Sequence, residues 1–447
     1  MKRNVLKELV EWKRSSNRKP LILNGARQVG KTYILQEFGK SYYKNVAYVN
    51  CDRNKLLNQI FALDYDIARI IRSLSALLHI HITPEDTLII FDEIQENPVI
   101  LNSLKYFYEN APEYHIAVAG SLLGISLHGN ISFPVGKVDM IRMYPMAFDE
   151  FLTAIGEETL VDILSQGDYA LADSLAMRYI DCLRQYYFVG GMPAAVREYS
   201  ESGNLQNVRA IQKQILFDYR RDFSKHAPTA EVPRINMVWD SIPSQLAKEN
   251  KKFVYGAIRK GARASEFEIA IQWLIDAGLI YRVHRATSPT IPLKFYEEPS
   301  VFKLFMLDVG LMGAMTDAPA ESIIIGDNIF HEYKGAFTEL FVYTQLVPHH
   351  LPIYYYSTND SRVEIDFLVQ KGDTVLPIEI KAEVNVKSKS LYTFINKHPE
   401  MKGLRFSMLP FSGQDWMNNA PLYSVNFYLH VRPPGDSHSH HVQSVLP

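Results

Sequence analysis

The chain has 447 residues, 47% hydrophobic and 21% charged, with 47 Lys and Arg against 49 Asp and Glu for a formal net charge of −2. At about 150 residues per domain the length implies roughly three folded units, and the composition excludes a mostly disordered or collagen-like chain. The balanced charge gives no global field that would attract nucleic acid or an anionic membrane, so any such site has to be local.

Two cysteines occur, Cys51 and Cys182. This argues against a disulfide scaffold or a cysteine zinc site and fits a reducing cytoplasm, the expected location. No apolar run reaches the ~18 residues that span a bilayer, so no membrane partner is expected. The opening MKRNVLKELVEWKRSS has Leu6, Leu9 and Val10 at helical spacing with charges between them, an amphipathic helix rather than a signal peptide.

Over residues 1–155, apolar runs alternate with helical patterns. PLILN (20–24), NVAYVN (45–50), TLIIFD (87–92) and HIAVAGS (115–121) read as strands buried on both faces, and 31–40, 64–79 and 99–110 as helices. Such alternation predicts an α/β fold with a parallel sheet. Residues 156–235 turn helical, interrupted by the glycine pair and proline of GGMP (190–193). Ser265 and Glu268 have capping-box spacing at a later helix, which Gly278 is placed to end. LIYRVHRA then pairs with LKFYEE (293–298) across a Ser288-Pro289 turn, giving a winged-helix-like module over 236–324. From 325 to 432 a helix (335–347) precedes strands IYYYS, VEIDFLVQ and VLPIEIKA, a further α/β unit. The tail 433–447 has the composition of a disordered end.

Residues 25–32, GARQVGKT, satisfy G-x-x-x-x-G-K-[ST] with a strand before and a helix after. Gly25, Ala26, Arg27, Gln28, Val29 and Gly30 form a loop whose amides can surround phosphates. Lys31 is expected to reach the β- and γ-phosphates, and the Thr32 hydroxyl to ligate Mg²⁺. LIIFDE (88–93) supplies the second half: Asp92, at the end of an apolar strand, needs a cation, and Glu93 can act as general base. Ser121, at the end of HIAVAGS, is placed to sense the γ-phosphate or the attacking water. ATP and Mg²⁺ are therefore the expected ligands.

GARQVGKT, LIIFDE, VAGS, FPVGKVDMIRMYPMAFDEFL, GGMP, EIDF and IEIK together resemble P-loop ATPases of the AAA+/STAND kind. They resemble most a widespread prokaryotic family with an amino-terminal AAA domain and a carboxy-terminal domain of formerly unknown function. The resemblance implies a helical lid at 156–235, with Pro193 near the adenine and Gly190 and Gly191 at a lid turn. It leaves the arginine finger open, because Gly136-Lys137 stands where such families often carry Gly-Arg, with Arg142 nearby. Oligomerisation fits such relatives.

In the carboxy-terminal unit, alternation puts Val363, Ile365 and Phe367 on one face and Glu364 and Asp366 on the other. Glu379 and Lys381 share one face of the next strand. With Glu339 on the preceding helix, this ordered set resembles a PD-(D/E)xK, restriction-endonuclease-like core. Lys248, Lys251, Lys252, Arg259, Lys260 and Arg263 form a local basic cluster for DNA. Three functions follow: an ATPase whose nucleotide state controls the carboxy-terminal domains, an ATP-gated Mg²⁺-dependent DNA nuclease, or a slow nucleotide switch that recruits a partner.

Overall fold

The computed structural model describes residues 1–52, 55–120, 134–248, 251–325, 328–358, 360, 362–382 and 387–428. Ser121 and the tail 433–447 lie outside the described residues. Two compact units are formed, each from three stretches of chain: Met1–Ile155, Phe188–Arg282 and Lys303–Ala320 in the first, Gly156–Tyr187, Val283–Phe302 and Glu321–Pro447 in the second. No described helix is long and apolar enough to cross a membrane.

In chain order the first stretch holds α1 (Val5–Arg14), β1 (Leu21–Asn24), α2 (Lys31–Tyr42), β2 (Asn45–Asn50), α3 (Lys55–Ala62) and α4 (Ile67–Leu78). It continues with β3 (Thr87–Asp92), α5 (Pro98–Asn110), β4 (His115–Ala119), β5 (Asp139–Arg142) and α6 (Phe148–Ala154). The strands form a sheet in the order β2-β3-β4-β1-β5, parallel throughout. Every residue of β3 and β4 is buried, as apolar strands covered on both faces must be. Helices α3, α4 and α5 place Leu57, Phe61, Ile70, Leu74, Leu104 and Phe107 against Ile89, Phe91 and Val118 on one face. Asn97 caps α5, accepting from the Ile100 amide at 3.3 Å, with Pro98 at the first helical position, where its missing N–H costs nothing. Helix α1 buries Val5, Leu9 and Trp12. Strand β5 is an edge strand with no buried residue, so its sequence carries no strand signal.

The chain continues with α7 (Glu158–Ser165), α8 (Tyr169–Ser174), α9 (Ala176–Val189), α10 (Pro193–Ser202), α11 (Leu205–His226), α12 (Val232–Leu246), α13 (Tyr255–Ile258) and α14 (Ala264–Asp276). The Ser265 capping box does not form. Helix α14 starts at Ala264 after Arg263, with no side-chain cap. Glu268 instead accepts from Arg282 Nη1 at 2.8 Å and from Tyr255 OH at 3.4 Å.

Strands β6 (Ile280–Ala286) and β7 (Glu297–Met306) follow, then α15 (Val309–Met315), α16 (Ala320–Ile325) and α17 (Asn328–Leu346). Residues Leu293–Tyr296 form a 3₁₀ turn, so the second hairpin strand begins later and runs longer than LKFYEE suggests. Last come β8 (Ile353–Ser357), β9 (Glu364–Lys371), β10 (Thr374–Ile380), α18 (Lys389–Lys397), β11 (Gly403–Ser407), β12 (Ser412–Gly413), β13 (Met417–Pro421) and α19 (Val425–Tyr428). The second sheet runs in the order β12-β13-β11-β10-β9-β8-β6-β7. A register shift in the β8–β9 ladder between Tyr354 and Tyr356 breaks the expected alternation. Ile365 joins Leu391 and Phe394 of α18, whereas Phe367 lies 5.7 Å from the Tyr343 ring of α17.

Candidate functional site

In the first unit, β1 feeds the loop 25–30 and α2 leaves it. Gly25 sits at φ 151° with Met143 O only 2.2 Å from where a Cβ would stand, so no side chain fits there. Gly30, at φ 94°, is the N-cap of the twelve-residue α2 and leaves its first amides free of any side-chain cap. A backbone that must turn this tightly and present bare amides at a helix N-terminus fits an anionic phosphate group. Gln28 is also left-handed, at φ 66°. For a residue with a Cβ this costs about 1–3 kcal/mol and has to be held by neighbours.

A cavity of about 550 Å³ opens over this loop. Arg27, Gln28, Gly30, Lys31 and Thr32 line it from the loop and α2, Asp92 and Glu93 from the end of β3, and Gly120 from the end of β4. Pro193, Ala194 and Arg197 line it from α10, with Met1 and Arg3 from the amino-terminal segment. Gly25, Ala26 and Val29 contribute through backbone. The carbonyls of Gly25 and Ala26 accept from Lys31 Nζ at 2.9 and 2.7 Å, and Val29 O accepts from Arg3.

Thr32 Oγ1 donates to Asp92 Oδ2 at 2.8 Å. Neighbouring ligands of an octahedral Mg²⁺ stand about 2.9 Å apart, so the two oxygens match a shared ion. Tyr48 OH donates to the same Oδ2 at 2.9 Å, and the Glu93 amide to Oδ1 at 3.0 Å. Asp92 is 6% exposed and is thus aimed by three donors. Glu93 takes a left-handed backbone, φ 52°, and its Oε2 accepts from Gln95 Nε2 at 2.5 Å. Burial lowers the Lys31 ammonium to about 8, although Glu93 and Asp92 act to raise it; Arg27 lowers it further.

Sequence reasoning missed three groups. Arg3 is buried, with Nε on Glu150 at 3.0 Å and the other nitrogens on the carbonyls of Val29 and Tyr144 at 2.8 and 2.7 Å. Nothing in a charged first helix marks it out. Tyr48 could have been flagged by its place in the alternation of NVAYVN. Arg197 stands one helical turn beyond Pro193, the only signal it carries. Lys137 and Arg142 do not line the cavity: Lys137 pairs with Glu109 at 3.0 Å, and Arg142 lies over the rings of Tyr144 and Tyr281. The GGMP turn is held by Asp308, whose carboxylate accepts from the Gly191 and Leu311 amides at 2.6 and 2.8 Å. A Cβ on Gly191 would meet Met146 O at 2.1 Å. Pro193 is the first residue of α10.

In the second unit Glu379 and Lys381 meet, with Nζ 3.1 Å from Oε1, and Asp366 Oδ2 accepts from the Ile380 amide at 2.7 Å. Glu379 is buried, and its Oε2 has no hydrogen-bond partner. Arg405 and Asn419 continue the row in register on β11 and β13, joined at 2.8 Å. Glu339 is buried on α17. Among the described residues no three His, Cys, Asp or Glu side chains are grouped to hold a metal. In the first unit, Arg259 of the basic stretch is paired with Glu266 at 2.5 Å.

Residues 17–152 match the family described as an AAA domain. Residues 180–322 and 334–415 match two domains of unknown function (DUF8612 and DUF4143). No curated protein matches the chain. Among solved structures, a Walker-type ATPase of Pyrococcus abyssi is similar at 16% identity and a TM-score of 0.44, over 70% of this chain and 94% of that one. The RuvB Holliday junction branch migration motor of Thermotoga maritima is similar at 13% identity and 0.31, over 63% and 89%. Cdc6p from Pyrobaculum aerophilum is similar at 14% identity and 0.25, over 72% and 93%. The AAA match spans the segment that carries the phosphate loop and the parallel sheet, so residues 17–152 are similar to an AAA domain.

Proposed function

We propose that the chain binds ATP with Mg²⁺ in the cavity over residues 25–32 and hydrolyses it. The carrying observation is the 2.8 Å approach of Thr32 Oγ1 and Asp92 Oδ2 beside the Lys31 ammonium in one cavity. Thr32 and Asp92 would hold Mg²⁺, which when bound neutralises phosphate charge. Lys31 exchanges its two loop carbonyls for β- and γ-phosphate oxygens. Glu93 accepts the proton of the water that attacks the γ-phosphorus as the bond to the ADP oxygen breaks. Ser121 keeps its proposed role as γ-phosphate sensor, and Pro193 its place near the adenine. Lys31→Ala should abolish ATP binding and turnover, whereas Glu93→Gln should keep binding and lose turnover by about 10²-fold or more. Wild-type hydrolysis by the Lys31 variant would show that the site is misassigned.

The nucleotide state is proposed to control the carboxy-terminal domains, and turnover far below ~1 s⁻¹ would favour a slow switch recruiting a partner. A second reading, ATP-gated DNA cleavage by a restriction-endonuclease-like unit reached through a winged-helix module, is favoured by one observation. The buried Glu379 carboxylate keeps an unpartnered oxygen beside Lys381. Mg²⁺-dependent plasmid cutting that disappears in Asp366→Ala and Lys381→Ala, with ATP binding intact, is its expected signature. Plasmid left whole after long incubation with ATP and Mg²⁺ or Mn²⁺ would remove it.

A further inference from the structure

Helix α11 clasps the phosphate loop from outside the cavity. Tyr219 OH donates to Arg27 O at 2.9 Å, Gln28 Nε2 donates to Asp218 Oδ2 at 2.9 Å, and Arg27 Nη1 meets Asp222 Oδ1 at 2.5 Å. One turn of helix thus grips two consecutive loop residues, one of them the left-handed Gln28.

Three arginines line the cavity, and they are not equivalent. Arg3 already donates from Nε and both terminal nitrogens to protein oxygens. Arg197 belongs to α10, with Pro193 and Ala194. Arg27 directly follows the residue whose carbonyl holds Lys31 Nζ, and its charge is felt at that ammonium. Its side chain is 45% exposed while that of Asp222 is 7% exposed, so the guanidinium can leave the pair but its partner is fixed.

We propose that Arg27 supplies the arginine that stabilises the transferred phosphoryl group, from the phosphate loop of the same chain, and that Asp222 holds it in reserve. This rests on the ATP-hydrolysing reading above. Arg27 makes and breaks no covalent bond. Water adds to the γ-phosphorus, Glu93 takes its proton, the electron pair of the broken bond goes to ADP, and the planar guanidinium donates to the phosphoryl oxygens as their charge spreads. The ion pair with Asp222 competes with that contact, so movement of α11 relative to the loop sets how often Arg27 is free.

The test measures ATP affinity and turnover on the full chain with Arg27→Ala, Arg27→Lys, Asp222→Asn and Lys31→Ala, each checked by thermal melting. Arg27→Ala should lose turnover by about 10²-fold or more with ATP affinity within about threefold, and Asp222→Asn should raise turnover. A clasp that is merely structural would make both variants fall together, and that result overturns the proposal. So does wild-type turnover in Arg27→Ala while Lys31→Ala is dead, an outcome that leaves the nucleotide site standing. Should Arg27→Ala not fold, Arg27→Lys decides. It keeps the charge for Asp222 but lacks the fork, so about tenfold or greater loss supports the proposal and wild-type turnover overturns it. Wild-type turnover in Lys31→Ala would remove the nucleotide reading and this one with it.

Discussion

Lys31 carries a charge that is mostly buried, held by two loop carbonyls and the nearby acids. Its proton is therefore lost near pH 8 rather than near 10.5. Below about 8 the ammonium is ready for phosphate, and above it the neutral amine is not. ATP affinity should accordingly weaken by about tenfold between pH 7 and pH 9. Titration calorimetry at both values checks this, and Lys31→Arg should flatten the profile because guanidinium stays charged. The residues that chemistry dictates were legible at this scale. Gly25, at a turn where no side chain fits, and Lys31, Thr32 and Asp92, brought together in one cavity, stand where the motif spacing placed them. Arg3 was not legible, because aiming a neighbour takes one hydrogen bond that many residue types at many positions can supply, and Tyr48 carried only its place in the alternation of NVAYVN.

Among the elements, β1, β3 and β4 could be read from sequence because strands buried on both faces take mostly apolar residues, whereas β2, expected to be buried on both faces, is an edge strand whose burial alternates, with Asn45 and Asn50 exposed. Edge strand β5 could not, and β9 was misread because its ladder shifts register at Tyr355, which leaves no trace in the alternation. Strand β4 also carries a pH-sensitive group. His115, its first residue, is 4% exposed, with Nδ1 2.8 Å from Tyr43 OH and Nε2 without a partner. Burial, aided by Arg18 and Lys13, lowers it from 6.5 to about 4. Between those values the unfolded chain binds the proton and the folded one does not, so stability falls as pH drops from 6.5 toward 4. The loss should be on the order of 3 kcal/mol for this group. Urea unfolding at pH 7 and pH 4.5 should show that dependence, and His115→Gln should make it shallower.

For the whole molecule, linear reading divides the chain into consecutive segments, whereas each compact unit gathers three separated stretches. Composition and periodicity act over tens of residues and are blind to such returns. The reason is visible in the site itself: the loop made by residues 25–30 is finished by α10 and α11, and the GGMP turn by Asp308.

The grip of Tyr219 and Asp222 on Arg27 has a consequence for biosynthesis. A ribosome adding about 5–20 residues per second completes the loop roughly 10–40 s before it reaches the helix that braces it. During that interval Lys31 already holds the Gly25 and Ala26 carbonyls and Arg3 that of Val29, but Arg27 and Gln28 lack the contacts that α11 supplies. The clasp on Arg27 and Gln28 is therefore added late in translation, once α11 has emerged from the exit tunnel.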